Sequence, residues 1–166
     1  MKEIALTQGQ VALVDDEIYE ELNRVKWYAR KGANTFYAVR MSPRVDGKQY
    51  GIYMHHEISG KTPKGFEVDH RNGMGTDNQR ENLRHVTRRQ NCQNLKCVKS
   101  SSKYPGVYWH KPTEKWVAII KINGKGKNLG YFTDGKEAFE TYCQAVDGLG
   151  ETVIDEEKYL NNQEVI

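Results

Sequence analysis

Between Phe66 and Leu95 the chain has to reverse direction and then start a helix. The residues that make it do so also carry chemistry. Phe66-Glu67-Val68-Asp69-His70 is a short β-like run ending in an acid and an imidazole. Arg71-Asn72-Gly73-Met74-Gly75-Thr76-Asp77-Asn78 follows, with two glycines and several turn formers, so it turns the chain back. Leu83 and Val86 imply a returning strand, and Thr87 with Gln90 three residues on is a capping box for a helix holding Asn91. The spacing predicts strand, loop, strand, helix.

Phosphodiester hydrolysis needs an activated water, a cation on the phosphate and leaving oxygen, and groups that orient both. Asp69 and Asn91 offer hard oxygen ligands suited to Mg²⁺, which keeps several waters and takes few protein ligands. His70, on the opposite side of the strand from Asp69, can act as general base without binding metal. Asn82 can hold the imidazole or the local backbone in place.

Val68-Asp69-His70, the Asn-Gly loop, Asp77-Asn78, Asn82-Leu83-Arg84, Val86-Thr87 and Asn91 together resemble the HNH (ββα-metal) nucleases, in the branch whose last histidine is asparagine. The resemblance implies Asp69 and Asn91 as ligands of one Mg²⁺ or Mn²⁺ ion. It implies His70 as catalytic base and Asn82 as the catalytic residue that orients it. Tyr53-Met54-His55-His56-Glu57-Ile58 looks like the family's approach strand and helix, with His55 as possible active-site support, structural or phosphate-facing. Arginine commonly follows that histidine; His56 stands here. The cysteine pairs of a zinc-stabilised version are missing, so no structural zinc is expected.

The remaining sequence is read around this segment. The longest unbroken apolar run is Trp116 to Ile120, too short to span a bilayer, and the first residues lack the apolar stretch of a secretory signal. Three cysteines form neither an even set nor a Cys-x-x-Cys pair, as in a reduced, cytoplasmic protein. Residues 3 to 54 predict a β-rich layer: a hairpin at Gln8-Gly9, a short helix after Asp15-Asp16, and further strands around Gly32-Ala33-Asn34 and Asp46-Gly47. This layer offers no chemistry of its own.

Net charge is +3 over 166 residues, but Arg84 to Lys127 holds eleven Lys/Arg against the single acid Glu114. That block carries +10, which leaves −7 for the rest of the chain (+3 less +10). A basic block with interleaved aromatics suits nucleic acid. Residues 96–103 form a polar, basic linker between a domain at 1–95 and one at 104–146, and 147–166 is an acidic tail, disordered or a docking helix. In the second domain three strands and a helix from Gly135 are expected, with Asn123-Gly124 as a hairpin turn and Asp134 opening the helix.

Tyr104-Pro105-Gly106-Val107 through Trp116, Leu129-Gly130-Tyr131-Phe132 and the helix after Glu137 resemble the AP2 DNA-binding domain, which lays a three-stranded sheet in the major groove. Alternation puts Trp116, Ala118, Ile120 and Ile122 on the helix side, and Val117, Ile119 and Lys121 toward DNA. Tyr108, His110 and Asn128 share the DNA-facing side. Arg84, Arg88, Arg89, Lys99, Lys103, Lys111 and Lys115 are expected to contact DNA as well.

The fold expected is α+β: an N-terminal β-rich layer leading into a ββα-metal HNH core, then an AP2-like three-stranded antiparallel sheet plus helix. As a whole the chain resembles phage-type HNH homing endonucleases with an AP2-like domain. That implies a site-specific endonuclease of double-stranded DNA, acting in the cytoplasm of a bacterial or phage-infected host. No membrane or small-molecule partner is expected. The alternatives are a DNA-binding regulator with an inactive HNH fold, and an RNA-processing factor.

Overall fold

The computed structural model describes residues 1–94 and 101–160. The chain divides into two compact units between Asn94 and Leu95.

The first unit opens with the hairpin β1 (Lys2–Ala5) and β2 (Val11–Val14), paired antiparallel from Lys2↔Val14 to Ala5↔Val11. Helix α1 (Asp16–Leu22) follows. Asp15 stands at its N-cap, but its side chain makes no capping bond there; the carboxylate instead accepts from the Arg80 backbone N–H at 2.9 Å. Strands β3 (Tyr28–Lys31), β4 (Phe36–Met41) and β5 (Gly51–Tyr53) form an antiparallel sheet with β4 in the middle. Helix α2 (Met54–Ser59) then leads to β6 (Phe66–His70), β7 (Leu83–Thr87) and α3 (Arg88–Asn94).

The hydrophobic core beneath the hairpin gathers Ile4, Ala12, Val14, Leu22, Trp27, Ala38 and Met54. Trp27 satisfies its indole N–H on the Leu22 carbonyl at 2.8 Å, so its whole surface is buried without an orphaned donor. At about 25 cal/mol/Å² over roughly 200 Å² that burial contributes about 5 kcal/mol, as an upper figure.

The second unit is a sheet ordered β10 (Lys125–Phe132), β9 (Lys115–Ile122), β8 (Val107–His110), antiparallel throughout, with α4 (Gly135–Asp147) on one face. Asn123 and Gly124, at φ 50° and 78°, supply the left-handed pair that a tight hairpin needs. Asp134 accepts from the Lys136 N–H at 3.1 Å and caps α4. Val107, Ala118, Ile120, Ala138, Phe139, Tyr142, Cys143 and Val146 make the core. Gly106 has φ +72°, and a Cβ there would lie 2.3 Å from the Tyr142 ring; only glycine lets α4 close on the start of β8.

Part of the acidic C-terminal segment belongs to this core. Val153 is buried, and Tyr159 and Leu160 of the short helix α5 (Glu156–Leu160) pack against it. Among the described residues no helix is long and apolar enough to cross a membrane.

Candidate active site

Strands β6 and β7 pair antiparallel with Asp69 opposite Arg84 and His70 opposite Leu83. Thr87 and Gln90 cap α3 reciprocally: the Thr87 N–H donates to Gln90 Oε1 at 2.9 Å, and the Gln90 N–H to Thr87 Oγ1 at 3.3 Å. That fixes the angle at which α3 leaves the strand and so where Asn91 stands.

The loop between the strands is held by its own amides. Asn82 accepts from the Asn72 N–H at 3.1 Å, and its Nδ2 donates to Asn72 Oδ1 at 3.1 Å and to the Asp77 carbonyl at 2.8 Å. Of the two tasks expected of Asn82, these bonds perform the bracing of backbone. Asn78 is hydrogen-bonded to His70, its Oδ1 lying 3.5 Å from Nε2. Asn78 is fully buried, and its Nδ2 donates to the Thr76 carbonyl at 3.0 Å, which turns Oδ1 toward the imidazole. An acceptor facing Nε2 favours the tautomer protonated at that nitrogen.

The N-terminal layer braces this loop. Leu13 of β2 pairs with the loop, its N–H donating to the Thr76 carbonyl at 2.9 Å and its carbonyl accepting from the Asn78 N–H at 2.8 Å. Gly75 packs so closely on β4 that a Cβ would lie 2.6 Å from the Tyr37 ring and the Phe36 carbonyl. The imidazole of His70 stands 5.9 Å from the Tyr37 ring and 5.0 Å from that of His55, edge to face. Burial among these rings lowers its pKa, against the raising effects of the Asn78 bond and the Asp69 and Asp77 carboxylates.

His55 is buried, and its Nδ1 has no hydrogen-bond partner. Burial, with His70 and His56 nearby, pushes its pKa down to about 3. A neutral imidazole would meet a phosphate through an N–H hydrogen bond and not through charge.

On the other side of β6, Asp69 is buried and its Oδ2 accepts from Arg84 Nε at 2.9 Å. Arg84, expected to contact DNA, is half-buried with 12% of its side chain exposed and pairs with Asp69 through Nε. Asn91, on α3, donates from Nδ2 to Glu67 Oε2, and Arg88 Nη1 reaches Glu67 Oε1 at 3.0 Å. Glu67 stands two residues before Asp69 and shares its face of the strand. Among the described residues no three His, Cys, Asp or Glu side chains converge as a metal cage.

Residues 52–93 match the HNH endonuclease family model. The matched segment contains His55, Glu67, Asp69, His70, the amide-braced loop and Asn91 together. Over 72 residues the chain is 34% identical to Protein 3.8 of Escherichia phage T7, covering 43% of this chain and 60% of that protein. No solved structure matches. The match supports an HNH nuclease domain; it ends before the second unit.

In the second unit the register puts Tyr108 and Tyr131 opposite Val117, His110 opposite Lys115, Gly126 opposite Lys121, and Asn128 opposite Ile119, all on the face away from α4. Val117, expected to face DNA, is 0% exposed between Tyr108 and Tyr131, so no ligand can reach it. Tyr131 is an addition: the register shifts between Asn128 and Gly130, and the extra residue turns Tyr131 outward and Phe132 toward the core. Its ring stands 5.6 Å from that of His110. Lys111 is exposed on the turn after β8, and Lys103 is exposed beside Tyr104. Arg88 is exposed, and Arg89 is half-buried. Lys99 lies outside the described residues.

Proposed function

We propose that the chain is a divalent-metal-dependent, site-specific endonuclease of double-stranded DNA, of the homing type. The observation that carries this reading is the buried His70 with its Nε2 on Asn78, beside Asp69, within the segment that matches HNH endonucleases.

His70 takes the proton of a water as that water attacks phosphorus. A base kept neutral at working pH is ready to accept it, and burial supplies that neutrality. Asp69 and Asn91 fit one Mg²⁺ or Mn²⁺: both are hard oxygen donors, and Asn91 has its N–H side turned to Glu67. When bound, such an ion supplies positive charge to the scissile phosphate and leaving oxygen. Asn82 keeps the loop closed, and Tyr37 and His55 wall the imidazole.

In the second unit the AP2-like sheet presents Tyr108, His110, Lys115, Lys121, Asn128 and Tyr131 to the major groove. Arg88, Arg89, Lys99, Lys103 and Lys111 add phosphate contacts. The acids of the C-terminal segment favour a sheet-first approach by repelling DNA from the helix side.

The experiment is supercoiled plasmid with intact protein in Mg²⁺ or in EDTA, with duplex RNA as competitor. Nicking or linearisation in Mg²⁺ alone, unaffected by RNA, is the expected result. Binding without cutting would identify a DNA-binding regulator, and preferential competition by RNA an RNA factor.

A further inference from the structure

Asn91 presents a difficulty for any role at a metal ion. Its amide carries an oxygen and a nitrogen of nearly equal size, and rotation by half a turn exchanges them. Only the oxygen can coordinate a cation; the NH₂ group repels it. A helix position alone does not choose between the two.

Glu67 chooses. Asn91 Nδ2 donates to Glu67 Oε2, and a carboxylate offers lone pairs only. The reversed amide would set Oδ1 against that carboxylate, oxygen to oxygen. Glu67 is itself held: Arg88 Nη1 lies 3.0 Å from Oε1 and 3.4 Å from Oε2. Arg88 and Asn91 are three residues apart on α3 and so share a face of the helix. Glu67 and Asp69 occupy one side of β6, about 7 Å apart along the strand.

We propose that Glu67 is a positioning residue that fixes the Asn91 amide with Oδ1 presented toward the side of Asp69, and thereby sets divalent-ion affinity. This rests on the metal-dependent nuclease reading above and names a residue that acts through Asn91.

The test is Mn²⁺ binding to the full chain, followed by electron paramagnetic resonance without DNA. Glu67→Ala should weaken binding about 10- to 100-fold, the usual effect of losing a group that orients a ligand. Glu67→Gln keeps an acceptor oxygen and should stay within about threefold of the intact chain. The deciding arm uses Asn91→Asp, whose two oxygens are equivalent and need no orientation. Adding Glu67→Ala to Asn91→Asp should cause no further loss. Melting curves of each variant separate loss of affinity from loss of fold.

Two results overturn the proposal: unchanged Mn²⁺ affinity in Glu67→Ala, or an equal loss from Glu67→Ala in the Asn91→Asp background, which would make Glu67 a direct ligand. An intact chain that binds no Mn²⁺ overturns the nuclease reading along with it. Normal binding by the intact chain confines a failure to Glu67.

Discussion

Asn78 Oδ1 lies 3.5 Å from His70 Nε2, and the bond from Asn78 Nδ2 to the Thr76 carbonyl prevents the amide from turning away. Thr76 is itself paired to Leu13, so the proton position on the imidazole is tied to the N-terminal hairpin. Asn78→Ala should lower kcat roughly 10- to 100-fold with little change in KM, because the ring loses its orientation and not its substrate contacts. Steady-state cleavage rates, with a melting curve to confirm folding, check this. An unchanged kcat would leave the Asn78 contact without a catalytic consequence.

The Arg84–Asp69 pair gives a second expectation. Both side chains are nearly buried, so Arg84→Ala removes a charge-assisted hydrogen bond from the Asp69 carboxylate and should cost about 1–3 kcal/mol of stability by urea unfolding. A surface phosphate contact would behave otherwise, with stability within about 0.5 kcal/mol and a weaker grip on DNA.

Much of this site is legible in the sequence alone. The strand–loop–strand–helix order, the Thr87–Gln90 cap and the Asn123-Gly124 hairpin are local features, set by neighbours a few residues apart. The Asn78 contact is not, because it depends on how the loop folds over the strand end. Tyr37 comes from a different sheet, far back in sequence, and nothing in its neighbourhood singles it out. Arg84 reads as one more base in a basic block; only the register, which sets it opposite Asp69, reveals its partner. Tyr131 is hidden by the irregularity near Gly130, which breaks the alternation by which outward residues are counted.

Acid should weaken the fold through His55. The unfolded imidazole titrates near 6.5, whereas in the folded chain protonation is held off to about 3. Folding therefore favours the neutral ring. This contribution is whole above about pH 6.5 and is lost as pH falls toward 3, at no more than about 1.4 kcal/mol per pH unit for one proton. Urea unfolding at pH 7 and pH 5 should show a smaller fall for His55→Leu than for the intact chain. Equal falls in both would contradict the assignment.

The sheet of the second unit should divide base choice from affinity. Tyr108→Ala and Lys121→Ala should alter site preference in a randomised duplex pool. Lys103→Ala and Lys111→Ala should instead weaken binding to all sequences alike. Each of these two lysines that neutralises a phosphate should, when replaced, reduce the log–log salt slope by about 0.9. Salt titrations of binding, with sequencing of the cut ends, measure both effects. A site preference untouched by Tyr108→Ala and Lys121→Ala would move the reading of bases away from this face.

The most direct measurement is single-turnover cleavage of duplex DNA by the intact chain and by His70→Ala, with DNA affinity measured on the same samples. Equal affinity, with cutting about 10²–10⁴-fold slower in His70→Ala and abolished by EDTA in the intact chain, is the predicted result. Cutting by His70→Ala at the intact rate, or undiminished cutting by the intact chain in EDTA, would contradict it.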